Sequence, residues 1–235
     1  MPTHRYKHGV LGDRIEAGAI TIRKSDGSLS SFVLTRESVF EDLTPRLADL
    51  DRDGRTEVIV VRSYLKHGGT VSVLGLRMDE LDLLAELPPI GQPNRWLNPS
   101  IIADLDGSGR PVIGLVRTPH IGGQLQIWRF AKGRLEPVLS ATGFSNHSIG
   151  NRALGLTAVL SSGEERRIII PDATQANLLV LDAISLSRLA SIPLPARPIR
   201  DFVVQRDSAG HQWVEIGFED GITYKLSDPS GRLFD

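Results

Sequence analysis

The sequence predicts a single all-β domain of the propeller type, and three observations carry that prediction. One short motif recurs at an even spacing of 55 residues: Leu47-Ala48-Asp49-Leu50-Asp51 returns as Ile102-Ala103-Asp104-Leu105-Asp106, and Thr157-Ala158-Val159-Leu160-Ser161 keeps its alanine and leucine. Each copy leads through a polar turn into a β-branched run, which is a strand signal. No segment carries an amphipathic helix of about ten residues or more with caps. Repetition of one supersecondary unit at such a period marks propellers and other arrays.

The elements follow in order. Residues 5–11 read as an inner strand, and residues 19–24 and 29–35 as the third and fourth strands of an opening blade, joined at Asp26-Gly27. The three motif copies and a looser one, Asp201-Phe202-Val203-Val204-Gln205-Arg206-Asp207, begin the later units. Second strands are Glu57-Val58-Ile59-Val60-Val61, Val112-Ile113-Gly114-Leu115-Val116, Arg167-Ile168-Ile169-Ile170 and Trp213-Val214-Glu215-Ile216. Third strands lie at 71–76, 125–130 and 178–181, and fourth strands at 81–87, 135–140 and 186–194. The C-terminal unit has three strands (200–207, 213–218 and 222–227) and no fourth. Four short strands per unit of about 45–55 residues is the blade pattern. The expectation is one domain over 1–235, with five blades of four antiparallel strands and the N-terminal arm helping to close the ring. An open blade leaves unpaired edge groups. A repeating β-sandwich is the competing architecture.

Composition narrows the function classes. The chain of 235 residues is 40% hydrophobic, enough for a large core. No apolar run approaches the roughly 20 residues that span a bilayer. Lysines and arginines number 27 against 28 acids, scattered along the chain, so no basic face offers itself to nucleic acid. Without cysteine there is no disulfide framework, zinc ribbon or cysteine nucleophile. The start, Met1-Pro2-Thr3-His4-Arg5-Tyr6, lacks the apolar segment of a secretory signal.

After the first motif copy, Asp49-Leu50-Asp51-Arg52-Asp53-Gly54-Arg55-Thr56-Glu57 reads DxDxDGxxE. Alternate acids turn oxygens into one loop, glycine allows the sharp turn, and the last acid closes it, an arrangement suited to calcium. Here the chain resembles the FG-GAP/VCBS repeat family of β-propellers, whose calcium loops fall between the first and second strands of a blade. The resemblance implies calcium held by Asp49, Asp51, Asp53 and Glu57 in a structural role, and a periplasmic or secreted protein whose leader has been removed. The bland alternative is a turn shaped by aspartates bonding their own backbone. The motif decays afterwards. Val112 stands where the second loop needs its closing acid, the third loop (Ser161-Ser162-Gly163-Glu164-Glu165) has lost the pattern, and the fourth keeps only Asp207.

The loops of the opposite face differ chemically. They read Arg62-Ser63-Tyr64-Leu65-Lys66-His67, Arg117-Thr118-Pro119-His120-Ile121-Gly122-Gly123 and Asp172-Ala173-Thr174-Gln175. The connections between blades read Pro93-Asn94-Arg95-Trp96-Leu97-Asn98-Pro99 and Phe144-Ser145-Asn146-His147-Ser148-Ile149-Gly150-Asn151-Arg152. Loops on a rigid scaffold are where function tends to sit. A polar pocket is therefore expected there, lined by Arg62, Trp96, Asn98, Arg117, His120, Asn146, His147 and Arg152. The alternative is that these side chains bridge blades and satisfy buried backbone groups.

No GxSxG elbow, HExxH helix or phosphate-cradling GxxxxGK[ST] is present. His120, His147 and Asp172 form no recognised metal spacing, the stretch His8-Gly9-Val10-Leu11-Gly12-Asp13 either joins the pocket or seals it, and Glu41-Asp42 reads as a solvated turn, with an acid/base pair of a glycosidase-like site as the alternative. The function expected is non-enzymatic recognition of a protein partner or a carbohydrate on the loop-rich face. The alternative is a hydrolase or lyase acting on a glycan or small acid at the channel mouth.

Overall fold

The computed structural model describes residues 2–12, 14–219 and 221–227, and among them every regular element is a strand. The opening segment supplies β1 (Pro2–Thr3), β2 (Glu16–Ala17), the hairpin β3 (Ala19–Arg23) and β4 (Leu29–Val33), and β5 (Ser38–Phe40). The first full sheet holds β6 (Arg46–Ala48), β7 (Glu57–Tyr64), β8 (Gly68–Arg77) and β9 (Glu80–Glu86), with β5, β2 and β1 continuing beyond β7. The second is β10 (Leu97–Ala103), β11 (Val112–Arg117), β12 (Gln124–Ala131) and β13 (Arg134–Thr142). The third is β14 (Ala158–Ser162), β15 (Glu165–Pro171), β16 (Asn177–Asp182) and β17 (Arg188–Pro193). The last is β18 (Val203–Arg206), β19 (Gln212–Gly217) and β20 (Thr223–Ser227).

Alternation along the second strands explains how the sheets stack. Successive residues of a strand point to opposite faces. In β7, Val58 and Val60 pack with Ile20, Ile22 and Phe32 of the hairpin, whereas Ile59 and Val61 pack with Ile113 and Leu115 of β11. In β15, Ile168 and Ile170 face the second sheet while Ile169 faces Val214 and Ile216 of the last. These strands are covered on both sides and are therefore apolar throughout. The outer strand β13 alternates between exposed and half-buried positions. Four separate apolar clusters thus join the hairpin and the four larger sheets face to face in chain order.

The repeat extends to irregularities. Pairing between third and fourth strands shifts register at Val73/Leu74, Ile127/Trp128 and Val180/Leu181, the same place in each unit. Such bulges strengthen twist and are reproduced as designed features.

Two sequence expectations change. Residues 5–11 form no strand: the arm crosses the loops as irregular chain, with Gly150 N–H donating to the Val10 carbonyl at 3.0 Å and Val10 and Leu11 buried in the core between first and second sheets. Apolar side chains pull it inward instead of along a sheet edge. Among the described residues no ladder joins β18–β20 back to the hairpin, so the series of sheets is open. Residue 13 of the arm and residues 228–235 of the expected domain lie outside the described residues.

Candidate functional site

The loop-rich face centres on a buried carboxylate. β5 ends at Phe40 and delivers Glu41, with no exposed surface, beneath the N-terminal arm. Its Oε1 meets His8 Nδ1 at 2.8 Å, Ser63 Oγ–H donates to its Oε2 at 2.5 Å, and its carbonyl accepts Trp96 Nε1–H at 3.0 Å. Tyr6, next along the arm, accepts the Asn94 N–H at 3.0 Å, and burial beside Glu41 pushes its hydroxyl up to about 12. The arm thus both joins the site and seals it. Asp42 is buried as well. It pairs with Arg46 and accepts Val61 N–H at 2.9 Å, while burial raises its pKa. The expected solvated turn is therefore an interior acidic pair, Glu41 matched by the distant His8 and Ser63 and Asp42 by the neighbouring Arg46.

Beside this lies a cavity of about 310 Å³ lined by His8, Val10, Asn94, Arg95, Trp96, Thr118, His120, Ile121 and Ile149. His120 Nε2 and His147 Nδ1 are 3.0 Å apart, and His147 Nε2 lies 2.8 Å from the Asn151 carbonyl. Behind them the Trp96 and His147 rings pack with centroids 4.8 Å apart, tilted by 57°. Burial pushes both imidazoles down to about 4, so both are neutral at pH 7. Two residues of the rim hold left-handed backbone, Asn94 at φ 54° and Thr118 at φ 49°. For a β-branched residue this is strained, and strain of that kind persists where surrounding structure enforces it. Here Thr118 N–H donates to the Trp96 carbonyl at 3.1 Å and its Oγ1–H to the Ile121 carbonyl at 3.0 Å.

The eight residues expected to share one pocket are dispersed over the face. Trp96 and His120 line the cavity and His147 backs it. Asn98 and Asn146 are fully buried and tie β10 to the connection between β13 and β14. Asn98 Nδ2 donates to the Asn146 and Leu154 carbonyls, and Asn146 Nδ2 to the Asn98 carbonyl and Ser100 Oγ. Arg152 borders a second cavity of about 260 Å³ with Thr44, Arg46, Ser100 and Asp201. Arg62 lies within β7 and Arg117 ends β11, neither in a loop. Arg62 is held by Ser38, Glu86 and the Tyr64 ring, and Arg117 by the Ile90 carbonyl. Asp172 spends its carboxylate on Thr174 and Asn177 and does not join the histidines. Sequence reasoning missed Ile121 and Ile149, 61% and 72% exposed at the cavity. Their signal was two large apolar residues amid Gly, His and Asn.

On the other face, Asp49, Asp51 and Glu57 bring carboxylate oxygens within 4.8 Å of one another. Glu57 is buried, and that burial, with Asp51, Asp53 and Asp49 nearby, pushes it up to about 7 against the Leu50 N–H it accepts. Asp53 lies outside this trio and accepts Arg55 N–H at 2.8 Å. The second loop differs: hydrogen bonds from Ser108, with Arg129 2.6 Å away adding to them, hold the Asp106 pKa down to about 2.

With that geometry in hand, comparison with known proteins reaches the fold. No family model and no curated protein sequence matches the chain. Among solved structures it is similar to BBS1N, crystallised in complex with ARL6DN, at 13% identity and a TM-score of 0.53 over 91% of this chain. It spans 60% of the length of that structure. It also matches an endo-arabinase from Bacteroides thetaiotaomicron VPI-5482, at 11% identity and a TM-score of 0.47, over 91% of this chain and 94% of that one. The BBS1N fold is a β-propeller. The chain is propeller-like. Among the described residues no helix is long and apolar enough to cross a membrane.

Proposed function

We propose that this chain is a non-enzymatic recognition module of the propeller type that takes a protein partner at the cavity formed by its N-terminal arm and the loops that flank the second sheet. The observation that carries the reading is the pair of exposed isoleucines, Ile121 and Ile149, at the mouth of a cavity whose other polar groups are mostly engaged. An apolar rim around a small pocket suits a side chain inserted by a partner. A carbohydrate would need convergent free hydrogen-bonding groups or an open aromatic platform, but Trp96 is 2% exposed and its indole N–H is spent on Glu41. A hydrolase or lyase would need an acid facing the cavity, and both oxygens of Glu41 are committed to His8 and Ser63. That the solved neighbour BBS1N is in complex with another protein is in keeping with the reading.

Panning a displayed peptide library and a glycan array against the protein tests this. Peptides should be enriched and should lose at least tenfold in affinity on the Ile121→Asp/Ile149→Asp double variant, with its unfolding temperature unchanged. Glycan binding without any peptide binding would overturn the protein-partner reading.

The same reading makes the sheets blades of one propeller. Five blades result if the β3–β4 hairpin, packed on the first sheet as the later sheets pack on one another, counts as an incomplete blade. The acidic loop then serves as its structural calcium site, as the FG-GAP/VCBS resemblance implies. Asp49, Asp51 and Glu57 would hold the ion and Asp53 would shape the turn. Hard carboxylate oxygens fit calcium, and so few charged ligands suit a compartment with calcium near ~10⁻³ M, in keeping with a periplasmic or secreted protein. What calcium supplies there is charge compensation that stiffens a blade.

A further inference from the structure

The proton positions around the cavity follow from what each ring faces. A carbonyl only accepts, so His147 Nε2 carries the proton shared with Asn151. His147 Nδ1 is then a lone pair, and His120 Nε2–H donates to it. Neutral His120 has no second proton, and its Nδ1 is left as an acceptor. The residue lines the cavity together with Val10, Ile121 and Ile149. At about 310 Å³ the cavity sits at the small end of ligand sites, roughly 300–1,000 Å³, which suits one ring rather than an oligosaccharide chain. A matching ligand presents an apolar body with one donor at its edge. Among protein side chains the indole of tryptophan and the phenol of tyrosine have that form, and both are enriched as interface anchors.

Resting on the recognition reading above, we propose that the cavity is the socket for a donor-bearing aromatic side chain of a protein partner, its N–H or O–H bonded to His120 Nδ1 and its ring set between Ile121 and Ile149. The burial that keeps both imidazoles neutral near pH 7 maintains the acceptor. The strained backbone of Thr118 keeps His120 and Ile121 at the rim.

The test titrates the intact protein with N-acetyl-L-tryptophanamide and with its 1-methylindole analogue, followed by amide chemical shifts. The unmethylated probe should move Thr118, Ile121 and Ile149 and bind at least fivefold more tightly than the analogue. His120→Phe keeps a ring and removes the acceptor, so the preference should vanish. Ile149→Asp, at an exposed position, should weaken both probes. Equal binding of the two probes, or no shift of these residues with either, overturns the proposal. A mixed peptide pool in the same format separates the failures. If peptides lacking tryptophan and tyrosine still move these residues, the recognition reading stands without the aromatic socket; if no peptide moves them, both fall.

Discussion

His147 is fully buried, and its Nδ1 stays unprotonated because His120 Nε2–H donates to it. Its folded pKa of about 4 lies below the ordinary 6.5, so between those values the unfolded chain binds a proton that the folded chain refuses. This contribution to stability is complete above pH 6.5 and is lost as pH falls toward 4, and His120 adds with the same sign. Urea unfolding across that range should show a steeper loss in the wild type than in His147→Gln. Glu57 runs the other way. Its folded pKa of about 7 lies above the ordinary 4.5, so stability is complete below pH 4.5 and decreases as pH rises through 7. Glu57→Gln should therefore be more stable than the wild type at pH 8 without calcium, and should lose any calcium-dependent rise in melting temperature. That opposite result in calcium separates a metal loop from a mere turn. At this scale the sequence was half legible. His120 and His147 stood out among loop residues, and the acids stood out by spacing. That the imidazoles share a proton and that Asp53 leaves the trio depend on where distant loops come to rest.

The elements show why some expected loop residues are not on loops. Arg62, Asn98 and Arg117 were placed beyond the apolar runs, but ladders continue through them: Arg62 pairs with Thr70, and Asn98 with Val116. A polar residue extends a buried strand when a partner satisfies it, as Glu86 does for Arg62, and a partner 24 residues away leaves no local signal. Loop shape is equally enforced from outside. The Gly123 carbonyl accepts the Gly143 and Phe144 N–H groups, and a Cβ at Gly123 would fall onto the Phe144 carbonyl oxygen. Gly123→Ala should thus cost about 3 kcal/mol, measured by urea unfolding, because backbone rather than a flexible side chain must move.

Across the whole molecule, burial is uneven along the series of sheets. β7, β11 and β15 are covered on both faces, while β18 and β20 keep Val203, Val204 and Tyr224 exposed. Amides of few buried contacts open locally at lower cost. Hydrogen exchange should therefore be slowest in β7, β11 and β15 and fastest in β18 and β20. Uniform protection across all four larger sheets would mean that the open flank is covered in solution. The sequence by itself determined the all-β class, the repeating strand order and which strands form the interior, because period-2 patterning and β-branching are local properties that burial on two faces selects directly. It also marked the face with unusual loops. Only the tertiary structure decided that the arm enters the core as irregular chain, that Glu41 and Asp42 are buried, and that two isoleucines rim the histidine cavity. Those outcomes rest on contacts between residues dozens of positions apart, such as His8 with Glu41 and His120 with His147, and no local pattern encodes which distant partner will satisfy a polar group once water is excluded.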